Sequence, residues 1–211
     1  MNQFARASLF VALIATLLAA SAALAADPAA AYLKHESFDH NPQWEGWNNH
    51  VTPSALPTVV QDFGFSATHF AASTPGELGG LVTRASEPAL YAVNVGHKTL
   101  DEPLSASGTF ALKKSSASSG MFFGFFNARQ TGGGGRPVGS LGIDMDCESH
   151  GGRIAVRLIT ASNQSCGTFI TPFIPGKFRP TPIRNDGTRY HWTLAYDPQA
   201  NNANGRFTFT L

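Results

Sequence analysis

Asp144, Asp146 and Glu148 stand at alternate positions of the segment Leu141 to Glu148, whose other positions include Leu141, Ile143, Met145 and Cys147. Alternation with a period of two is the pattern of a half-buried strand. Residues at i, i+2 and i+4 of a strand leave it on one face, about 7 Å apart along the chain. Two carboxyl groups about 5 Å apart serve as nucleophile and acid/base in retaining glycoside hydrolysis, and side-chain lean can close the gap. A third acid between them pushes its neighbours' pKa values apart and steers the proton. The same row suits hydrogen bonding to sugar hydroxyls. Calcium is the one ion it leaves open, although calcium takes about six to eight oxygens and one strand offers too few.

The row also has a structural reading. After Ser149-His150-Gly151-Gly152, the residues Ile154, Val156 and Leu158 alternate with Arg153, Ala155, Arg157 and Ile159. The two runs form a predicted hairpin. With a four-residue turn, Glu148 faces Arg153 and Asp144 faces Arg157. Opposite charges across strands are ordinary sheet stabilisation, worth about 0.2–1 kcal/mol per pair, and a guanidinium beside an acid/base spoils it. Both readings stay open on the sequence.

Fewer signals come from the rest of the chain. Trp44 and Trp47, among Glu45, Asn48 and Asn49, are candidate exposed platforms for sugar rings, whose apolar faces suit an aromatic plane. Trp192 shares a predicted strand face with Leu194, which points it into the core. The candidate ligand-binding set is Trp44, Trp47, Asn127 and Arg157. His35, His40 and His50 match no zinc spacing. Gly132 to Gly135 lacks the Lys-Ser/Thr of a phosphate loop, and Lys177, Arg179, Arg184 and Arg189 read as a solvated cluster. Asn163-Gln164-Ser165 fits a glycosylation sequon.

Cys147 and Cys166 would favour a bridge in an oxidising compartment. The hairpin argues the other way, since Cys147 adjoins the turn while Cys166 lies beyond Thr160 at the far end. Direct pairing of the next strand separates them by about 20 Å, too far for a disulfide. The pairing stays open.

The elements around these residues are short strands. Predicted strands cover Thr58–Phe65, Gly79–Arg84, Leu90–Val95, Leu104–Leu112, Gly120–Asn127, the hairpin, Cys166–Phe173, Thr188–Tyr196 and Arg206–Leu211. Gly120 to Asn127 is almost continuously apolar and reads as a central strand buried on both faces. Only 14% of residues are charged, against 21 glycines, 13 prolines and 16 phenylalanines, a profile of tight turns and an aromatic core. At the N-terminus, Arg6, the apolar run Leu9–Leu18 and Ala23-Leu24-Ala25 form a signal peptide over 1–25. An extended segment over 26–57 and a β-sandwich over 58–211 follow. The chain stops inside a strand, which reads as a fragment. Removing 1–25 leaves 14 basic against 14 acidic residues. That balance argues against nucleic acid as partner, and no stretch reaches the ~20 apolar residues of a membrane span. The expected location is secreted, or the periplasm and cell envelope.

The stretch Tyr190-His191-Trp192-Thr193-Leu194-Ala195-Tyr196-Asp197-Pro198, with Asn204-Gly205-Arg206-Phe207 after it, resembles the Trp-x-Leu-x-Tyr-Asp strand, turn and aromatic return strand of concanavalin A-like, laminin-G-like modules. The resemblance runs roughly from Gly79 to Leu211. It implies an all-β, two-sheet antiparallel jelly-roll sandwich, with one sheet often concave and used for glycans. Laminarinase-type glycoside hydrolases share that fold and carry Glu-x-Asp-x-Glu on one strand. Asp144-Met145-Asp146-Cys147-Glu148 is similar, with Asp where the nucleophile Glu stands. Carried over, Asp144 is the nucleophile, Asp146 the middle carboxylate and Glu148 the acid/base. Those enzymes' Trp-rich flanks are absent here. Fold alone does not assign function. The leading expectation is therefore an exported, non-catalytic glycan-binding module. A retaining glycoside hydrolase and a structural or adhesion domain are the alternatives.

Overall fold

The computed structural model describes residues 33–52, 60–85, 87–129, 136–171, 175–176 and 182–211. The expected signal peptide, the Gly132–Gly135 loop, Lys177 and Arg179 lie outside these residues. All elements below fall within Glu36–Leu211, one compact unit.

The chain is all-β, in antiparallel sheets. In order, the strands are β1 (Glu45–Trp47), β2 (His50–Val51), β3 (Gln61–Ser66), β4 (Glu77–Leu81), β5 (Leu90–Ala92), β6 (Leu104–Ala111), β7 (Ser119–Phe125), β8 (Ser140–Glu148), β9 (Gly151–Ile159), β10 (Ser165–Phe169), β11 (Arg189–Asp197) and β12 (Arg206–Thr210). A four-stranded sheet runs β10-β9-β8-β7 and a three-stranded one β12-β11-β6; two smaller sheets are β2-β3-β4 and β1-β5. The N-terminal segment expected to be merely extended thus contributes two short strands. Between β11 and β12 is a one-turn element, Ala200–Ala203, in which Asn201, Asn202 and Ala203 have φ of 57°, 56° and 61°; asparagine tolerates this left-handed region better than most residues. Among the described residues, no helix is long and apolar enough to cross a membrane.

The two larger sheets pack face to face. Ile143, Met145, Cys147 and Ile154 of β8 and β9 meet Leu112, Phe110, Tyr190, Trp192 and Phe209 from the other sheet. A second cluster joins Leu141 and Val156 to Leu104, Leu194, Tyr196 and Phe207. Trp192 belongs to both, with its ring edge-on to Phe123 at 5.3 Å. The period-two patterns of β6, β8, β9, β11 and β12 therefore put their apolar faces inward, as the sequence predicts. After four strands in the opposite sheet, β11 returns to pair with β6 along Arg189–Tyr196.

Two expectations need correcting. β7 is not central: it is the edge of its sheet among the described strands, and Met121 is exposed. Within that sheet the strands flanked on both sides are β8 and β9. The apolar run of β7 arises because Phe123 and Phe125 serve the core while Phe122 meets Phe126 edge-on, at 6.3 Å.

The hairpin turn is also shorter than expected. Glu148 pairs with Gly151, leaving Ser149-His150 as a two-residue turn. Gly151 and Gly152 belong to β9 for a packing reason. A Cβ on Gly152 would sit 3.3 Å from the Met145 side chain and 3.7 Å from Ile183. Ile183 bonds the Gly152 backbone in both directions, at 2.8 and 3.1 Å. Glycine is placed here for close approach of a third segment, not for chain reversal. Ser115 and Asn185 hold the turn, Ser115 donating to the Glu148 carbonyl and Asn185 to the Ser149 carbonyl.

Candidate functional site

Asp144, Asp146 and Glu148 leave β8 on the face opposite the core, as the alternation predicts. The register differs by two residues from a four-residue turn, so Asp146 faces Arg153, Asp144 faces Ala155 and Gly142 faces Arg157. A slip of one residue would have turned every side chain over, whereas a slip of two keeps the faces and changes the partners. The ion pairs are consequently diagonal. Arg157 Nε donates to Asp144 Oδ2 at 3.0 Å, and an Arg153 terminal nitrogen (Nη2) donates to Glu148 Oε1.

Asp144 has a second partner that the hairpin pattern does not contain. Arg136 precedes β8, and Pro137–Ser140 turns it back over the sheet. Gly139 takes φ 62° and the Ser140 hydroxyl donates to the Pro137 carbonyl at 2.6 Å. Arg136 Nε then donates to Asp144 Oδ2 at 2.6 Å, and its Nη2 lies 3.7 Å from Asp146 Oδ1. Two guanidinium groups thus converge on one oxygen of a side chain only 8% exposed. Asp146 is the freest of the three, 41% exposed with one distant partner.

The floor around the row is stripped of side chains. Gly120 faces Asp146, Gly124 faces Gly142 and Gly151 faces Glu148. The Phe122 ring leans over Gly142, its Cζ 2.6 Å from where a Cβ would be. The face therefore holds three acids, three arginines and an aromatic ring. Arg153 Nε is buried without a protein acceptor. Neither Asp144 nor Glu148 can meet a substrate as nucleophile or acid/base without breaking an ion pair.

The remaining candidates are scattered. Trp47 is 63% exposed, so its ring is open to solvent. Trp44 is not one: it is half-buried, stacked on Tyr91 at 5.7 Å and edge-on to Phe38 at 5.2 Å. Its Nε1 and the Tyr91 hydroxyl are buried without a protein partner. Asn127 is exposed, and its side-chain oxygen accepts from the Arg129 amide at 3.0 Å, which closes a turn. Arg157 is committed to Asp144. Of the basic cluster, Arg184 pairs with Asp186 and Arg189 donates to backbone carbonyls. Asn163 lies exposed in the β9–β10 turn at φ 63°.

His40 pairs with Asp39 and His50 with Asp62. Among the described residues, no group of three or more His, Cys, Asp or Glu is placed to hold a metal ion. Both cysteines are free, Cys147 buried and Cys166 exposed. Cys147 faces Gly152 and Cys166 faces Leu158, a separation of about 20 Å along the sheet, so no disulfide joins them. Burial pushes the Cys147 thiol above its ordinary range; Asp146 and Glu148 add to that, against an opposing contact from Ser119.

Sequence reasoning missed Arg136 and Phe122. Arg136 directly follows the Gly132–Gly135 run, where no strand alternation marks the direction of its side chain. Phe122 was hidden in an unbroken apolar stretch whose two faces cannot be told apart by periodicity. No family model, no curated protein and no solved structure matches the chain.

Proposed function

We propose that this chain is an exported, non-catalytic glycan-binding module built on a concanavalin A-like jelly roll. The supporting observation is the outer face of the four-stranded sheet. There, half-exposed Asp146 and Arg136 stand beside Phe122, over positions occupied by Gly120, Gly124 and Gly142. Sugar recognition needs fixed donors and acceptors for hydroxyls and an aromatic plane for the ring. Ion pairs fix the former here, because each guanidinium and carboxylate limits its neighbour's rotation. The same pairs weigh against retaining glycoside hydrolysis by Asp144, Asp146 and Glu148. Their closure also favours the structural or adhesion reading, which is the second choice. The jelly-roll assignment rests on the two packed sheets and the return of β11 beside β6. Export rests on the signal-like pattern at 1–25.

The test is binding of the chain without residues 1–25 to a panel of neutral and acidic polysaccharides, with reducing-end release assayed in parallel. The expected result is saturable binding with no release of reducing ends, and at least about a tenfold loss of affinity in Asp146→Ala or Arg136→Ala. Release that disappears in Glu148→Gln would restore the hydrolase. Absence of binding across the panel would leave the structural role.

A further inference from the structure

The ten residues 67–76 between β3 and β4 are held from two sides by charged groups, Glu77, which sequence reasoning passed over, and Arg189, which it placed in a solvated cluster. Ser66 pairs with Glu77 at the base of the loop. Glu77 is buried, 7% exposed, and its carboxylate turns up into the loop. Oε1 accepts from the Thr68 hydroxyl and from the Phe70 amide at 3.1 Å; Oε2 accepts from the Ala71 amide at 2.7 Å. On the other side stands Arg189, at the start of β11. Its Nε donates to the Phe70 carbonyl at 2.8 Å, and its Nη2 to the carbonyls of His69 and Ala72.

The loop thus joins the β2-β3-β4 sheet to the β12-β11-β6 sheet through its own backbone, amides facing Glu77 and carbonyls facing Arg189. Two further contacts close it. Lys113, following β6, sits over the Phe70 ring at 4.7 Å. Gly76, at φ 111°, lies so close to Phe38 that a Cβ would be 1.7 Å from the Phe38 carbonyl oxygen. The charged and titratable groups around the loop are Arg189 from β11, Lys113 from beyond β6, His69 in the loop, Glu77 from β4, and Asp39 with its partner His40 on the segment that touches Gly76. Among these, Glu77 is the acid bonded to the loop itself.

We propose that loop 67–76 is an acid-loosened strap, held shut by the Glu77 carboxylate and let go on that side when the carboxylate is protonated. Protonation removes the charge that three donors share and puts a proton on one of the two accepting oxygens, which weakens the three bonds together. It also takes away the one carboxylate bonded to the loop, beside Arg189, Lys113 and a protonated His69. Burial pushes the Glu77 carboxyl upward, but the Thr68 hydroxyl, the Ala71 and Phe70 amides and His69 together outweigh it and hold the group below its ordinary value. A depressed folded-state value means that the clamp is complete above the unfolded carboxyl range, about pH 4.3. It is lost as pH falls through the folded value.

Hydrogen exchange tests this. Protection factors of the Phe70 and Ala71 amides, corrected for the intrinsic pH dependence of exchange, are followed from pH 7 to pH 2.5, with the amides of β8 as internal reference. The expected result is a fall of about tenfold or more at Phe70 and Ala71 while β8 remains protected. Glu77→Gln should show the low protection already at pH 7, with no further change in acid. Flat protection across the range, or loss at Phe70 and Ala71 only in the same step as β8, would overturn the strap. The wild-type titration decides the matter even if Glu77→Gln does not fold.

Discussion

Asp144 and Asp146 are two residues apart on one strand, yet they differ in kind. Asp144 is buried under Arg136 and Arg157, whereas Asp146 stands in solvent with one long contact. Removing one member of a buried pair strands its partners, at a cost of about 3–5 kcal/mol when all are buried. Both arginines here keep some solvent, which screens the loss. Asp144→Ala should therefore lower unfolding stability in urea by about 2–3 kcal/mol, and Asp146→Ala by less than about 1 kcal/mol. Equal losses would show that the two arginines do not depend on Asp144. The cysteines differ in the same way. A disulfide reagent should titrate Cys166 in the native protein and reach Cys147 only on unfolding, because burial both shields that thiol and disfavours its thiolate. Fast reaction of both thiols, or of neither, would contradict the register that separates them.

At the scale of elements, glycine sets the pairing of β7 with β8. Gly120, Gly124 and Gly142 let β7 and β8 lie together with Phe122 folded across them. A Cβ on Gly142 would stand 2.5 Å from the Phe123 carbonyl oxygen and 2.6 Å from the Phe122 ring. Gly142→Ala should cost about 1–3 kcal/mol and loosen the β7–β8 ladder, visible as lost amide protection on β7. Gly79→Ala is the control, since its nearest contact is an ordinary 3.5 Å. It should change the melting stability by under about 1 kcal/mol. A neutral Gly142→Ala would mean that Phe122 moves aside freely, and with it the aromatic part of the proposed glycan face.

For the whole molecule, the core lies between the two larger sheets, and Trp192 spans both of its clusters. The N-terminal sheets add little to that core. Arg189, gripping loop 67–76, ties them to the sandwich, while Asn48 to the Pro88 carbonyl and Asn49 to the Phe63 carbonyl join the N-terminal strands to one another. Burial of apolar area resists pH, while contacts through a single carboxylate do not. On the proposed loosening, the attachment through Glu77 responds to acid before the apolar core between the larger sheets does, and the proposed glycan face lies on one of those sheets.

Alternation alone determined the all-β class, the existence of the β8–β9 hairpin, the inward faces of β6, β11 and β12, and the common face of Asp144, Asp146 and Glu148. A strand's period of two fixes which side each residue takes, whatever it packs against. The register, and hence the partner of every carboxylate, was decided only in three dimensions. Gly151 and Gly152 carry turn chemistry in sequence but are strand residues because Ile183 passes against Gly152. The edge position of β7, the return of Arg136 over Asp144 and the grip of Arg189 on a loop more than a hundred residues away in the chain are likewise tertiary. Each depends on which distant segment arrives at a given surface, and local periodicity carries no information about that.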